Sequence, residues 1–187
     1  MGTNDLGGTV QNCYATGNVF GAIVSNAGGV VGQNLAGSTV EYCYATGEVS
    51  GWSNVGGVVG FNAATVTNCV ALNQAITDTS PNTSYLSAPF GRVDGSVATI
   101  GLLNNRARDD MGWNGAVGTP LTNPFTLNSK NGETITIPPS GGPTPMDTVF
   151  SDWDREFWNI PGGVILDKGN PLPTLRDVGG PQDPKLP

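Results

Sequence analysis

The chain has 187 residues, 37% of them apolar, and a net charge of −7 from only 12% charged residues. That length suits one ordinary domain or a short repeat array. The acidic balance lacks the basic stripe that nucleic acid requires. No run approaches the ~18 apolar residues of a membrane helix. With no histidine, imidazole-based catalysis and Cys/His metal centres are excluded.

In chain order, Asn4–Gly8 (NDLGG) reads as the tail of a repeated phrase. The phrase itself follows. Residues 9–17 read TVQNCYATG, residues 39–47 TVEYCYATG, and 65–71 TVTNCVA. Between them stand GGVVGQN at 28–34 and GGVVGFN at 56–62. Thr9, Thr39 and Thr65 are 30 and 26 residues apart, and Cys13, Cys43 and Cys69 keep the same offsets. A period of this size marks a stacked-repeat architecture. Within one repeat, Thr9, Val10, Tyr14, Thr16, Val19 and Phe20 are strand formers, and glycines punctuate them. Nothing shows a 3.6-residue period. A single unit cannot bury its own apolar face, but coils stacked in parallel ~4.8 Å apart can. The expected fold is therefore all-β: a parallel β-solenoid of stacked repeats with an irregular, mostly β C-terminal cap.

Stacking predicts columns. Val10 falls on Val40 and Val66, and Val30 and Val31 on Val58 and Val59. Ala15, Ala45 and Ala71 form another column, as do Asn34 and Asn62. Cys13, Cys43 and Cys69 form a third. Buried, reduced, packing thiols are favoured there, because in-register side chains point in parallel. A disulfide between neighbours, or a reactive or metal-binding thiol, is the alternative. The copies differ in AIVSNA (22–27) and WSNV (52–55), which maps these segments to exposed corners. Trp52 on such a corner is either a ligand-contacting aromatic or a ring folded over its loop. Trp113 is the second candidate ligand-contacting aromatic.

No Lys or Arg precedes Arg92, whereas the last 96 residues carry 8 basic and 11 acidic side chains. Turn residues crowd the same region. The chain accordingly divides into repeat coils (1–80), a degenerate last repeat (81–118) and a C-terminal capping block (119–187). In the last, ETITI (133–137) alternates like a strand, and PPSGGPTP reads as a surface loop. Phe150, Trp153, Phe157 and Trp158 are expected to cover the last coil, since solenoid ends expose an open edge. One helical turn is expected over 151–157, with Ser151 or Asp152 as N-cap. Asp152, Asp154 and Glu156, with Asp109 and Asp110 upstream, form either a Ca²⁺ site or, preferred, a solvated acidic face paired with Arg155 and Arg176.

NCYATG (12–17), YCYATG (42–47), GGVVGQN (28–34) and GGVVGFN (56–62) resemble the GLUG repeat of bacterial surface proteins. The likeness covers residues 4–80 well and extends more weakly through 89–111, where Gly91, Val93, Asn104 and Asn105 fall in matching places. FSDWDREFWNIPGG (150–163) and LPTLR (172–176) look like the Trp-rich ending of GLUG-bearing chains. The resemblance implies an extracellular or cell-surface, adhesin-like protein of bacterial origin. It carries no catalytic residues, cofactor or metal ligands.

The expected function is non-catalytic adhesion or ligand presentation, with a host or bacterial surface glycan or protein as partner. The alternatives are an accessory domain of a larger secreted protease or carbohydrate-active enzyme, or a polysaccharide-binding module. The coils carry only Asp5, Glu41, Glu48 and Asp78 and no base, unlike the carboxylate pairs of a glycosidase. Neither membrane insertion nor nucleic-acid binding is expected. We expect the repeats to continue in a longer parent, with its targeting signal outside this segment. Thiol titration of the denatured, non-reduced chain is predicted to find all three cysteines free; a single free thiol would mean that two stacked cysteines are bridged.

Overall fold

A computed structural model describes residues 2–23, 25–79, 90–96, 100–114, 125–139, 141–142 and 144–187. The expected domain change near 80–92 falls largely outside these residues. The fold is a parallel β-solenoid of about four turns. Each turn visits four ladders. The first joins Thr3–Asn4, Val31–Asn34 and Val59–Asn62. The second joins Thr9–Ala15 to Thr39–Ala45, then to the split pair Thr65–Thr67 and Val70–Ala71. It continues through Leu102–Leu103 and Arg106–Arg108 to Glu133–Ile135. The third joins Val19–Phe20, Val49–Gly51, Ala75–Asp78 and Gly112–Asn114. The fourth joins Ala27–Gly28, Val55–Gly56 and Phe90–Gly91.

Register follows the repeated phrase. Val10 pairs with Val40 and Val40 with Val66; Ala15, Ala45, Ala71 and Ala107 form one column. Val31 lies on Val59, and the Val30 N–H donates to the Val58 carbonyl at 2.9 Å. The asparagines form a ladder: Asn4 Nδ2 donates to Asn34 Oδ1, and Asn34 Nδ2 to Asn62 Oδ1, each at 2.9 Å. A buried amide is costly unless paired, so this ladder holds register as well as stability. The paired glycines permit close approach. A Cβ on Gly57 would run into the Arg92 carbonyl and the Asn73 side chain.

One residue per coil breaks the two-residue alternation of a strand. Asn12, Tyr42, Asn68 and Asn104 sit at φ 50°, 50°, 53° and 55°. Each is a left-handed residue, a conformation Asn tolerates better than most side chains. The extra residue lets Val10, Cys13 and Ala15 all face the interior and turns Tyr14 and its successors outward.

The outward face carries a second core. Tyr14, Tyr44, Val70, Leu72 and Ile135 of the coils meet Met146, Val149, Phe150, Trp153, Trp158, Leu166 and Leu172 of the C-terminal block. The block therefore lies along the flank of the coils, and this corrects the expectation that it covers the last one. Trp158 donates its indole N–H to Asn12 Oδ1 of the first coil at 2.9 Å, and Trp153 donates to the Asn68 carbonyl at 2.9 Å. Tyr14 and Tyr44 stack at 5.2 Å, and the rings of Trp153 and Trp158 lie 4.5 Å apart. The physical reason is the left-handed residue, which aims a tyrosine stripe outward; that apolar stripe must be covered along its length. Phe157 does not join this core; it is 49% exposed.

The helical turn also differs from expectation. It spans Met146–Val149 behind Pro145 and has no side-chain cap. Met146 and Val149, three apart and both buried, seat that turn in the flank core. Residues 151–157 form turns instead, closed by the Phe157 and Trp158 N–H groups on the Asp154 carbonyl. Two further strands, Trp158–Asn159 and Thr174–Leu175, pair antiparallel.

Replacing Tyr44 with Ala is predicted to cost about 3–5 kcal/mol in urea unfolding. Phe157→Ala is predicted to stay within about 0.5 kcal/mol. Equal costs would contradict the flank packing.

Candidate binding surface

The repeat's fixed positions are consumed by the fold. The three thiols are unbridged and each donates to the carbonyl two residues earlier. Cys13 reaches Gln11 at 3.1 Å, Cys43 Glu41 at 3.1 Å and Cys69 Thr67 at 3.3 Å. Cys43 and Cys69 are fully buried. Neighbouring Cys43, and then burial, push the Cys13 thiol above its ordinary range, which is the opposite of a reactive thiolate. In the fourth coil Asn105 takes the cysteine position. It accepts from the Cys69 N–H at 2.9 Å and donates to the Val66 carbonyl at 2.8 Å.

The acidic residues of the C-terminal region are engaged separately. Asp152 lies 3.7 Å from Arg106 and accepts from Asn104 at 2.7 Å. Asp154 accepts from the Glu156 N–H, and Asp109 from the Ile137 N–H. Arg155 pairs with Asp147 at 2.7 Å, and Arg176 donates to the Trp158 carbonyl. The expected pairing of Asp152, Asp154 and Glu156 with Arg155 and Arg176 is thus corrected: the chain turns that follow Asp154 send these side chains to different neighbours. Among the described residues, no cluster of three Cys, Asp or Glu side chains is arranged to hold a metal ion.

Two polar groups are buried in the third and fourth coils where the earlier coils carry glycine and valine. Arg92 follows Gly91, which pairs with Gly56, so it occupies the level of Gly57. Its guanidinium donates to the carbonyls of Asn131, Arg108 and Gly132 and lies 4.5 Å from the Phe125 ring centre. Burial lowers its pKa to about 10, with Asp109 opposing. Asp94 bridges to Val59 and is fully buried. Its Oδ1 accepts from the Ser96 N–H at 2.9 Å, while its Oδ2 meets no partner.

What stays available lies at corners and grooves. Phe20 is 75% exposed and Ile23 69%. Trp52, one coil on, is half-buried on the bend after Val49–Gly51. Phe20 pairs with Ser50, so these three apolar side chains share one corner on successive coils; Val24 of the segment 22–27 lies outside the described residues. Trp113 stands elsewhere. It lies opposite Ile76, half-buried against the core, two coils along from Val49. That separates it from Trp52 by about 10 Å along the axis. A groove of about 220 Å³ runs beside Thr16, Asn18, Thr46, Glu48, Gln74 and Lys185. A second concavity, about 340 Å³, opens at the first coil. The sequence reading missed the groove because Lys185 joins it from 137 residues beyond Glu48.

Fold and surface together define a β-solenoid repeat protein with a flanking C-terminal block. Among known families, the GLUG motif matches residues 24–50, and this supports a GLUG-repeat assignment for the coils. Curated proteins and solved structures give no match.

Asp94 sets a pH dependence. Burial raises its pKa from 3.8 to about 7, against the lowering effects of Ser96, Lys130 and Asn62. The ionised form is therefore less stable in the fold than in the unfolded chain. Stability should fall as pH rises from 3.8 to about 7 and level off above. Asp94→Asn should flatten that slope and add roughly 2–4 kcal/mol at about pH 8 in denaturant titrations. An unchanged slope would contradict the assignment.

Proposed function

We propose that this chain is a non-catalytic repeat segment of an extracellular or cell-surface protein, adhesive or ligand-presenting in role. The observation that carries the reading is the corner where Phe20 and Ile23 are exposed and Trp52 is half-buried. Exposed apolar side chains on a rigid parallel ladder form an arrayed contact surface at little ordering cost. The partner is a surface glycan or protein that packs against aromatic and aliphatic side chains. The bacterial, adhesin-like character rests on the resemblance of the repeat phrases.

A second reading, a polysaccharide-binding module, is favoured by the groove of hydroxyl, amide, carboxylate and ammonium groups between Thr16 and Lys185. Polar side chains of this kind match sugar hydroxyls.

Binding of the labelled chain to bacterial and epithelial surfaces and to a glycan array tests both. Phe20→Ala with Trp52→Ala should weaken surface attachment at least about tenfold, a loss of about 1.4 kcal/mol. Undiminished attachment would overturn the corner reading. Glycan binding abolished by Glu48→Gln or Gln74→Ala, with corner variants unaffected, would favour the groove.

A further inference from the structure

Two valine columns of the inner corner change chemistry along the stack, and backbone hydrogen bonds fix their register. The N–H groups of Val30 and Val31 donate to the Val58 carbonyl, and those of Val58 and Val59 to the Val93 carbonyl. Those of Val93 and Asp94 donate to the Lys130 carbonyl, all at 2.9–3.1 Å. Lys130 thus continues the column of Val30, Val58 and Val93. Asp94 continues the column of Val31 and Val59. Where the first two corners place valine pairs, the next two place a carboxyl and an amine on neighbouring turns.

Asp94 is fully buried; its Oδ1 takes the Ser96 N–H at 2.9 Å and its Oδ2 meets no partner. Lys130 is half-buried, and its stem folds over Gly91, where a Cβ would meet Lys130 Cγ at 3.2 Å. Among the described residues no ion pair joins the two. Burial holds Lys130 below its ordinary pKa, with Asp94 opposing, and raises Asp94 to about 7. Both groups are pushed towards their uncharged forms. An uncharged amine is a nucleophile, and an uncharged carboxyl can lose its hydroxyl as water. The Ser96 N–H is placed to stabilise negative charge that develops on Oδ1. Backbones of adjacent turns lie ~4.8 Å apart, a gap that the flexible four-carbon stem of lysine spans.

We infer that Asp94 and Lys130 form a site of intramolecular amide condensation that ties two successive turns covalently. Lys130 Nζ forms a bond to Asp94 Cγ, and the Cγ–Oδ2 bond breaks. Oδ2 leaves as water with the carboxyl proton and one amine proton, and the other amine proton stays on the amide nitrogen. No oxidant, reductant or other co-reactant enters. The product replaces two buried ionisable groups by one neutral amide, which costs less to bury. The pH slope set by Asp94 belongs to the chain before condensation; the linked chain has no such slope. This inference is independent of which ligand the corner or groove takes.

Intact-mass spectrometry of the whole chain, incubated near neutral pH, tests this. The mass should fall by that of one water molecule. Trypsin cuts after Arg92, Arg106, Arg108 and an unmodified Lys130, so digestion should leave residues 93–106 joined to 109–155. Lys130→Arg keeps the charge and the stem and should abolish the joined peptide. Asp94 precedes Gly95, and cyclisation of such a pair to a succinimide also releases water, so the joined peptide decides between the two. An undiminished mass after prolonged incubation would overturn the proposal, as would a lost water without the joined peptide.

Discussion

The left-handed residue that recurs in the second ladder of each coil governs the rest of this structure. Without Asn12, Tyr42, Asn68 and Asn104 at positive φ, a seven-residue strand would alternate strictly. Val10 and Cys13 would then face opposite ways. With the extra residue, valine, cysteine and alanine share the interior, and the following tyrosine faces out. The interior column is narrow and small; the outer stripe is broad and aromatic. The first builds the coil and the second recruits the C-terminal block. The same residues also supply the polar grips, since the Asn12 side chain and the Asn68 carbonyl take the two indole N–H groups. Three of the four are asparagine, the non-glycine type best suited to that backbone. Tyr42 is the exception and packs edge-on to Trp153 at 6.4 Å, an aromatic contact that offsets a strained backbone.

The stack is polar at one end and apolar at the other. Early coils use Gly-Gly-Val-Val-Gly at their inner corner. The later coil uses Gly-Arg-Val-Asp-Gly, and its Arg92 and Asp94 are buried. Arg92 satisfies several carbonyls at once, as its planar fork allows. Asp94 retains a buried oxygen without a partner, which destabilises the coil most when ionised. The first coil, in contrast, carries only glycine and valine at that corner, with no charged side chain.

Much of the coil was legible because the phrase repeats. Equal spacing of Val10, Val40 and Val66, and of Asn34 and Asn62, dictates in-register stacking whatever the coil's detailed shape. The strand at Glu133–Ile135 was visible in the alternation of ETITI. The flank packing was not. Nothing local in FSDWDREFW says whether its aromatics cover an end or a side. That depends on which way Tyr14 and Tyr44 point, and so on a backbone angle at Asn12 and Tyr42. Asparagine recurring at that position was the available signal. The helical turn was misplaced for a similar reason: Ser151 and Asp152 are good caps by type, but the buried pair Met146 and Val149 decided the matter through tertiary contact. Trp52 was legible as a corner residue from the unequal lengths of the copies. The groove beside Lys185 was not, because it joins residues far apart in sequence.

The flank arrangement makes one demand that no end-cap arrangement shares: Trp158 must touch the first coil. Nuclear Overhauser contacts of the Trp158 indole N–H test this directly. The structure predicts contacts to the Asn12 and Tyr14 side chains, given the 2.9 Å hydrogen bond and the 6.4 Å ring separation. Contacts confined to residues 125–135 of the final coil would contradict it.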